Sequence, residues 1–182
     1  MKILVTGAAG FIGFHLCKKL IEKKKNVIGI DNLNDYYSVK LKKDRIKFLK
    51  NSKFKKYFKF KKLDIKILKQ LNNFCVSNNI DTIIHMAAQA GIRYSLKNPR
   101  DYLENNVGGL FNLMEVARKN KIKKFIFASS SSIYGSNTKA PFKENFDTSN
   151  PLQFYGATKK AGEVFLKSYN YLYNFPTVCL RF

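Results

Sequence analysis

Tyr155 and Lys159 are the residues of this sequence whose types and spacing point most directly to chemistry. In "YGATKKAGE" they stand at i and i+4, so a helix there puts a phenol and an ammonium on one face. A free phenol titrates near about 10. A neighbouring cation favours the phenolate and makes it a usable base near neutral pH. The spacing alone is common and serves equally well on a helix face with no chemistry. A second group of hydroxyls, Ser129–Ser132, follows the apolar run "KKFIFA". A serine beyond the end of a strand can bond the same substrate hydroxyl that Tyr155 deprotonates.

The third chemical feature is "GAAGFIGFHL", residues 7–16, directly after the apolar Ile3-Leu4-Val5. Gly7, Gly10 and Gly13 are spaced G-x-x-G-x-x-G, a variant of the dinucleotide fingerprint with one extra residue. Gly7 allows a sharp turn out of a strand, Gly10 lets backbone approach a pyrophosphate, and Gly13 lets the following helix pack close to the sheet. The helix N-terminus then aims free N–H groups at the phosphates. Asp31 follows Gly13 by 18 residues, at the end of the second apolar run. A carboxylate there accepts hydrogen bonds from the adenosine ribose and repels a 2′-phosphate. Asn32-Leu33 offers no arginine to receive such a phosphate, so the pattern favours NAD over NADP. Asp64-Ile65 can flank the adenine, and Asp64 reads equally well as a helix cap.

These groups need a scaffold, and the apolar pattern predicts one. Strands are expected at 2–6, 26–31, 58–63, 82–86, 124–129 and 177–182, and helices at 11–24, 39–50, 66–78, 98–120 and 155–172. "KILVT" and "DTIIHM" are short and nearly all apolar, as strands covered on both faces should be. The alternation predicts a doubly wound parallel sheet of the Rossmann type in one α/β domain spanning 1–182. The longest loops are expected at 87–97 and 131–154, where such folds often carry function. "TVCLRF" reads as the middle of a buried strand, so the sequence is expected to be the first part of something longer.

Composition narrows the class. Hydrophobic residues make up 45% of 182, enough for a packed core. No stretch is long and apolar enough to cross a bilayer and no signal-peptide pattern is visible, which makes a cytoplasmic protein the default. Cys17, Cys75 and Cys179 are far apart and fit neither a zinc pattern nor a disulfide framework, so no metal is expected. The net charge of +22 raises nucleic-acid binding, and residues 40–69 hold 14 Lys or Arg against Asp44 and Asp64. Phe48, Phe54, Tyr57, Phe58 and Phe60 are interleaved there. A solvated helix and exposed strand account for that window, so no specific nucleic-acid partner is expected.

Taken together, "TGAAGFIGFHL", "HMAAQAG", "ASSSSIYG" and "YGATKKAGE" resemble the extended short-chain dehydrogenases/reductases, in their nucleotide-sugar epimerase branch. "DNLNDYYSVKLKKDR" and "HMAAQAGIRYSLKNP" are similar, more narrowly, to UDP-glucuronate 4-epimerases. The resemblance implies that Gly7, Gly10, Phe11, Ile12 and Gly13 hold NAD at its pyrophosphate. It places Asp31 and Asn32 at the adenosine ribose, Asp64 and Ile65 beside adenine, and Ala87, Ala88 and Gln89 along the cofactor. Ser130, Tyr155 and Lys159 become the catalytic triad, with Tyr155 and Lys159 also on the cofactor. Ser131 and Ser132 face the sugar of a UDP-sugar substrate. They stand where related 4,6-dehydratases carry an Asp-Glu pair, so no acid is present to eliminate water.

The implied reaction is C4 epimerisation of a UDP-sugar, UDP-glucuronate to UDP-galacturonate, through a transient 4-keto sugar with NAD regenerated in place. The alternatives are a truncated NAD-binding module without turnover, or a different nucleotide-sugar epimerase or dehydratase. Family members run well past this length with a substrate domain that is absent here. Many are homodimers through helices such as those at 98–120 and 155–172.

Overall fold

The computed structural model describes residues 1–136 and 140–182, leaving residues 137–139 of the 131–154 loop outside the described residues. Six parallel strands, β1 (Lys2–Thr6), β2 (Asn26–Asp31), β3 (Phe58–Lys62), β4 (Thr82–His85), β5 (Lys124–Ser129) and β6 (Thr177–Arg181), form one sheet in the order β3-β2-β1-β4-β5-β6. The central strands are the apolar ones because both of their faces are covered: every residue of β4 is buried, as are Ile3–Thr6 of β1. Flanking them are α1 (Phe11–Glu22), α2 (Val39–Asn51) and α3 (Leu68–Asn78). Next come α4 (Ile92–Lys97), α5 (Pro99–Tyr102), α6 (Gly109–Lys119) and α7 (Phe154–Tyr173). The expected doubly wound parallel sheet is therefore the observed fold.

Alternate residues of each strand enter two cores. Ile3, Val5 and Ile84 pack with Cys17 and Ile21 of α1 and with Ile46 and Leu49 of α2. Leu4, Ile28 and Ile83 pack on the opposite face with Leu71 of α3, Leu113 and Met114 of α6, and Leu166 of α7. Next to the first core, Leu180 and Phe182 border an apolar groove with Ile84, Ile126 and Leu16. Leu180 is 43% exposed and Phe182 53%. The +12 window becomes α2, a 3-10 turn at Lys55–Tyr57 and the edge strand β3. Lysines along an edge strand discourage pairing with another sheet. The interleaved rings are mostly engaged locally: Lys50 lies over Phe60, Lys53 over Phe54 and Lys56 over Tyr57, and Phe58 is buried.

Two expectations are corrected. The 87–97 loop is half helix, since α4 occupies Ile92–Lys97. The expected 98–120 helix begins with α5 and ends with α6, and between them Leu103–Gly108 widens to a π turn. A π turn has no signature in apolar periodicity, and such bulges are frequent at functional sites. Among the described residues no helix is long and apolar enough to cross a membrane, and no three His, Cys, Asp or Glu side chains are grouped to hold a metal. Cys17 and Cys75 are buried free thiols.

Candidate active site

The strand order reverses between β1 and β4, and a cleft of about 620 Å³ opens there beyond the carboxyl ends of the strands. At its floor the chain leaves β1 through Gly7, whose φ is +67°. A Cβ on Gly7 would stand 2.7 Å from the Ala87 nitrogen, so the turn and the β4 loop approach closely only because Gly7 has none. A Cβ on Gly13 would collide with the Gly7 carbonyl oxygen. Gly10 caps α1 without a side-chain bond, leaving the first-turn N–H groups facing the cleft beside Phe11 and Ile12.

Asp31, at the tip of β2, is buried and accepts hydrogen bonds from Ala9 N at 3.1 Å and Leu33 N at 2.8 Å. Its carboxylate thus pins the glycine turn to the second strand while keeping lone pairs for a ligand hydroxyl. Asn32, Asp64 and Ile65 line the same end, with Asn32 Nδ2 donating to Asp64 Oδ2 at 3.3 Å. Asp64 Oδ1 also accepts from Lys66 N at 2.9 Å, so it closes a tight turn ahead of α3. Ala87, Ala88 and Gln89 form the wall after β4.

Ser130, Tyr155 and Lys159 stand at the other end of this cleft. Burial pushes the Tyr155 phenol above its ordinary pKa, and the neighbouring Ser130 hydroxyl offsets only part of that rise. The expected depression by the ammonium one turn away is not what the protein's own groups produce. Lys159 Nζ donates to the Ala128 carbonyl at 2.8 Å and sits 5.9 Å from the Tyr155 ring centre. Burial pushes Lys159 itself down to about 8. His85 is buried, is pushed down to about 3 and is therefore neutral. Its Nδ1 lies 2.7 Å from Thr6 Oγ1, which accepts from Ala87 N at 3.1 Å. The Thr6 hydroxyl thus links the neutral His85 ring to the loop after β4.

Ser131 and Ser132 do not line the cleft. They begin a 3-10 turn over Ser131–Tyr134, in which Ser132 N donates to Ser130 Oγ at 3.2 Å and Ser131 N to the Phe182 carbonyl at 2.6 Å. Gln153 stands just before α7 as its N-terminal cap residue, with no side-chain cap bond.

Several residues at the site were not foreseen. Asn106, inside the π turn, accepts from Gln89 N at 2.7 Å and donates to the Gln89 carbonyl at 3.0 Å and to Thr158 Oγ1 at 3.1 Å. It ties the cofactor wall to the helix that carries Tyr155. Arg181, at the end of β6, makes a bidentate pair with Glu163 of α7 at 2.9 and 3.0 Å. It also donates to the Glu144 carbonyl at 2.8 Å and to Tyr134 Oη at 3.0 Å, holding the 131–154 loop against the sheet. Tyr37, Lys42 and Arg45 enter the adenosine end from α2 and the loop before it.

Residues 3–182 match the NAD dependent epimerase/dehydratase family. The chain belongs to this family. It is 47% identical to Protein CapI of Staphylococcus aureus over all of this chain and 53% of that protein, so it spans about half the length of such curated relatives. The solved UDP-glucuronic acid 4-epimerase of Bacillus cereus, in complex with UDP-glucuronic acid and NAD, superposes with a TM-score of 0.89 and 37% identity, covering 100% of this chain and 56% of that one. UDP-glucose 4-epimerase of Brucella ovis in complex with NAD gives 0.84 and 30%, over 99% and 51%.

The family is NAD-dependent, and the residues of this epimerase-family cleft fit that cofactor on their own geometry. The glycine turn is a cradle that side chains would fill. Gln89, 5% exposed on the cleft wall, keeps its Nε2 donor without a partner among the described residues. A buried donor so placed calls for an acceptor from a ligand.

Proposed function

We propose that this chain carries the NAD-binding and proton-transfer half of a UDP-sugar 4-epimerase, acting on UDP-glucuronate and UDP-galacturonate. The observation that carries this reading is that Ser130, Tyr155 and buried Lys159 line the same cleft as the glycine turn and Asp31. Gly7, Gly10, Phe11, Ile12 and Gly13 would hold the cofactor's pyrophosphate, Asp31 and Asn32 its ribose, and Asp64 and Ile65 its adenine. Ala87, Ala88 and Gln89 would line its nicotinamide half. When bound, NAD supplies a reversible two-electron acceptor at the sugar's C4. Tyr155 takes the proton of the C4 hydroxyl and returns it, and Ser130 bonds both the phenol and that hydroxyl. Lys159 supplies the cation that favours the phenolate once the phenol ionises. Ser131 and Ser132, one step outside the cleft, face the part of the substrate that lies beyond the cofactor. The relatives' names support this substrate class, and the glucuronate-type relative aligns along the whole chain.

A second reading is favoured by the 53% coverage of CapI: an NAD-binding module that does not turn substrate over by itself. One experiment separates the two. The protein is incubated with NAD and UDP-glucuronate, and C4 inversion without net NADH is followed. Inversion that vanishes in Tyr155→Phe, with NAD still bound, supports the first reading. NAD binding without inversion supports the second, and failure to bind NAD defeats both. The helices expected to pair two copies expose Phe111 on α6 and Val164, Tyr171 and Leu172 on α7, and we propose a homodimer through them.

A further inference from the structure

The stretch between β2 and α2, residues 32–38, contains two tyrosines that the proposed reaction does not use. Tyr36 and Tyr37 both line the cleft, and they reach opposite walls of it. The Tyr37 hydroxyl lies against the glycine turn, 3.3 Å from where a Cβ on Gly10 would stand. The Tyr36 hydroxyl lies against the loop after β4, 2.5 Å from where a Cβ on Gly91 would stand. Gly91 has a φ of +96°, so its missing side chain serves both its own backbone and the phenol seated on it. The two rings meet edge to face at 6.0 Å, and the Tyr36 ring packs against Tyr94 of α4 at 4.9 Å.

This stretch is fastened at both ends. Leu33 N donates to Asp31 Oδ1 at 2.8 Å and holds Leu33 at a φ of +56°, a conformation that non-glycine residues seldom adopt. The buried Lys42 ammonium donates to the Asn34 carbonyl at 2.7 Å and lies 4.5 Å over the Tyr37 ring. Ser38 Oγ accepts from Leu41 N at 3.3 Å and starts α2. Neither tyrosine ring belongs to a core, and the two remain 38% and 40% exposed. Two rings held across a cleft by polar anchors, with apolar faces left uncovered, are placed to cover a ligand. We infer that Tyr36 and Tyr37 form a strap across the dinucleotide where it passes the glycine turn, and that this strap retains NAD in the cleft between turnovers. The reaction proposed above returns the hydride to the sugar and needs no release of the cofactor.

The inference rests on the cleft being a dinucleotide site, and its test keeps the two apart. Radiolabelled NAD is bound to the protein and chased with excess unlabelled NAD, and the label retained is followed with time. Parent, Tyr36→Ala, Tyr37→Ala, Tyr36→Phe and Tyr37→Phe are compared, with thermal midpoints of the NAD-free proteins taken by circular dichroism. Each alanine variant is expected to release NAD at least about tenfold faster than the parent, since each loses a ring contact and a hydroxyl. The phenylalanine variants, which keep the ring, should fall between. Release at the parental rate from both alanine variants overturns the inference and leaves the cofactor site intact. Faster release only in alanine variants whose thermal midpoints also fall, with both phenylalanine variants at the parental rate, overturns it as well, because the rings then serve folding. A parent that binds no label defeats the dinucleotide reading and the strap with it.

Discussion

Replacing Lys159 with methionine should make the protein more stable. Lys159 is 3% exposed, its ammonium has one protein acceptor, the Ala128 carbonyl at 2.8 Å, and it forms no ion pair among the described residues. Burial lowers its pKa from 10.5 to about 8. At pH 7 the folded and unfolded chains both hold the proton, so folding carries a penalty of roughly 3 kcal/mol at about 1.4 kcal/mol per unit. Methionine keeps an unbranched apolar stem in the same space and gives up one hydrogen bond, worth about 1 kcal/mol. The expected gain is about 2 kcal/mol, or a rise in Tm of roughly 4–8 °C for a domain of this size.

The pH dependence has a definite sign. Above pH 8 the folded lysine releases its proton while the unfolded lysine, near 10.5, still holds one, so the parent gains stability as pH rises. The penalty is fully present below pH 8 and is relieved towards 10.5. Urea unfolding of parent and Lys159→Met at pH 7 and at pH 9.5 should show the variant's advantage shrinking. A variant no more stable than the parent at pH 7, or an advantage that stays constant between the two pH values, would refute the picture of an unpaired buried cation. Stability held in reserve at a functional group is a common trade.

Two further substitutions probe the other end of the cleft. Asp31→Ala strands the N–H groups of Ala9 and Leu33 and should cost about 2–4 kcal/mol in urea unfolding, with NAD affinity falling at least about tenfold; Asp31→Asn, which keeps one acceptor oxygen, should recover part of the stability. Gly7→Ala forces a side chain to a φ of +67° and drives its Cβ against the Ala87 backbone. Left-handed strain and overpacking together should cost about 2–5 kcal/mol, and a thermal midpoint unchanged from the parent would show that the turn relaxes freely.

The amino-acid sequence by itself determined the local features. Glycines at 7, 10 and 13 are legible because a turn between strand and helix is made within a dozen residues. The apolar runs of β1, β2 and β4 are legible because burial on both faces removes the polar alternation. The Tyr155–Lys159 pairing needs only the helical period. Other features were decided only when the chain closed on itself. Asn106 joins Gln89, 17 positions before it, to Thr158, 52 positions after it, through a π turn that apolar spacing does not record. Ser131 and Ser132 read like their neighbour Ser130, and only the 3-10 turn carries them away from the cleft.

The electrostatics of the site were settled in the same way. Lys159 was placed on the right helix face, but the direction of its ammonium depends on where β5 leaves the Ala128 carbonyl. Arg45 lies 36 positions beyond Ala9 and reaches its carbonyl only because α2 packs back over the glycine turn. Residue types and periods are properties of the chain, whereas desolvation and the meeting of distant charges depend on what tertiary packing sets around each group. Sequence could therefore name the candidate groups, and packing decided their pKa values and their partners.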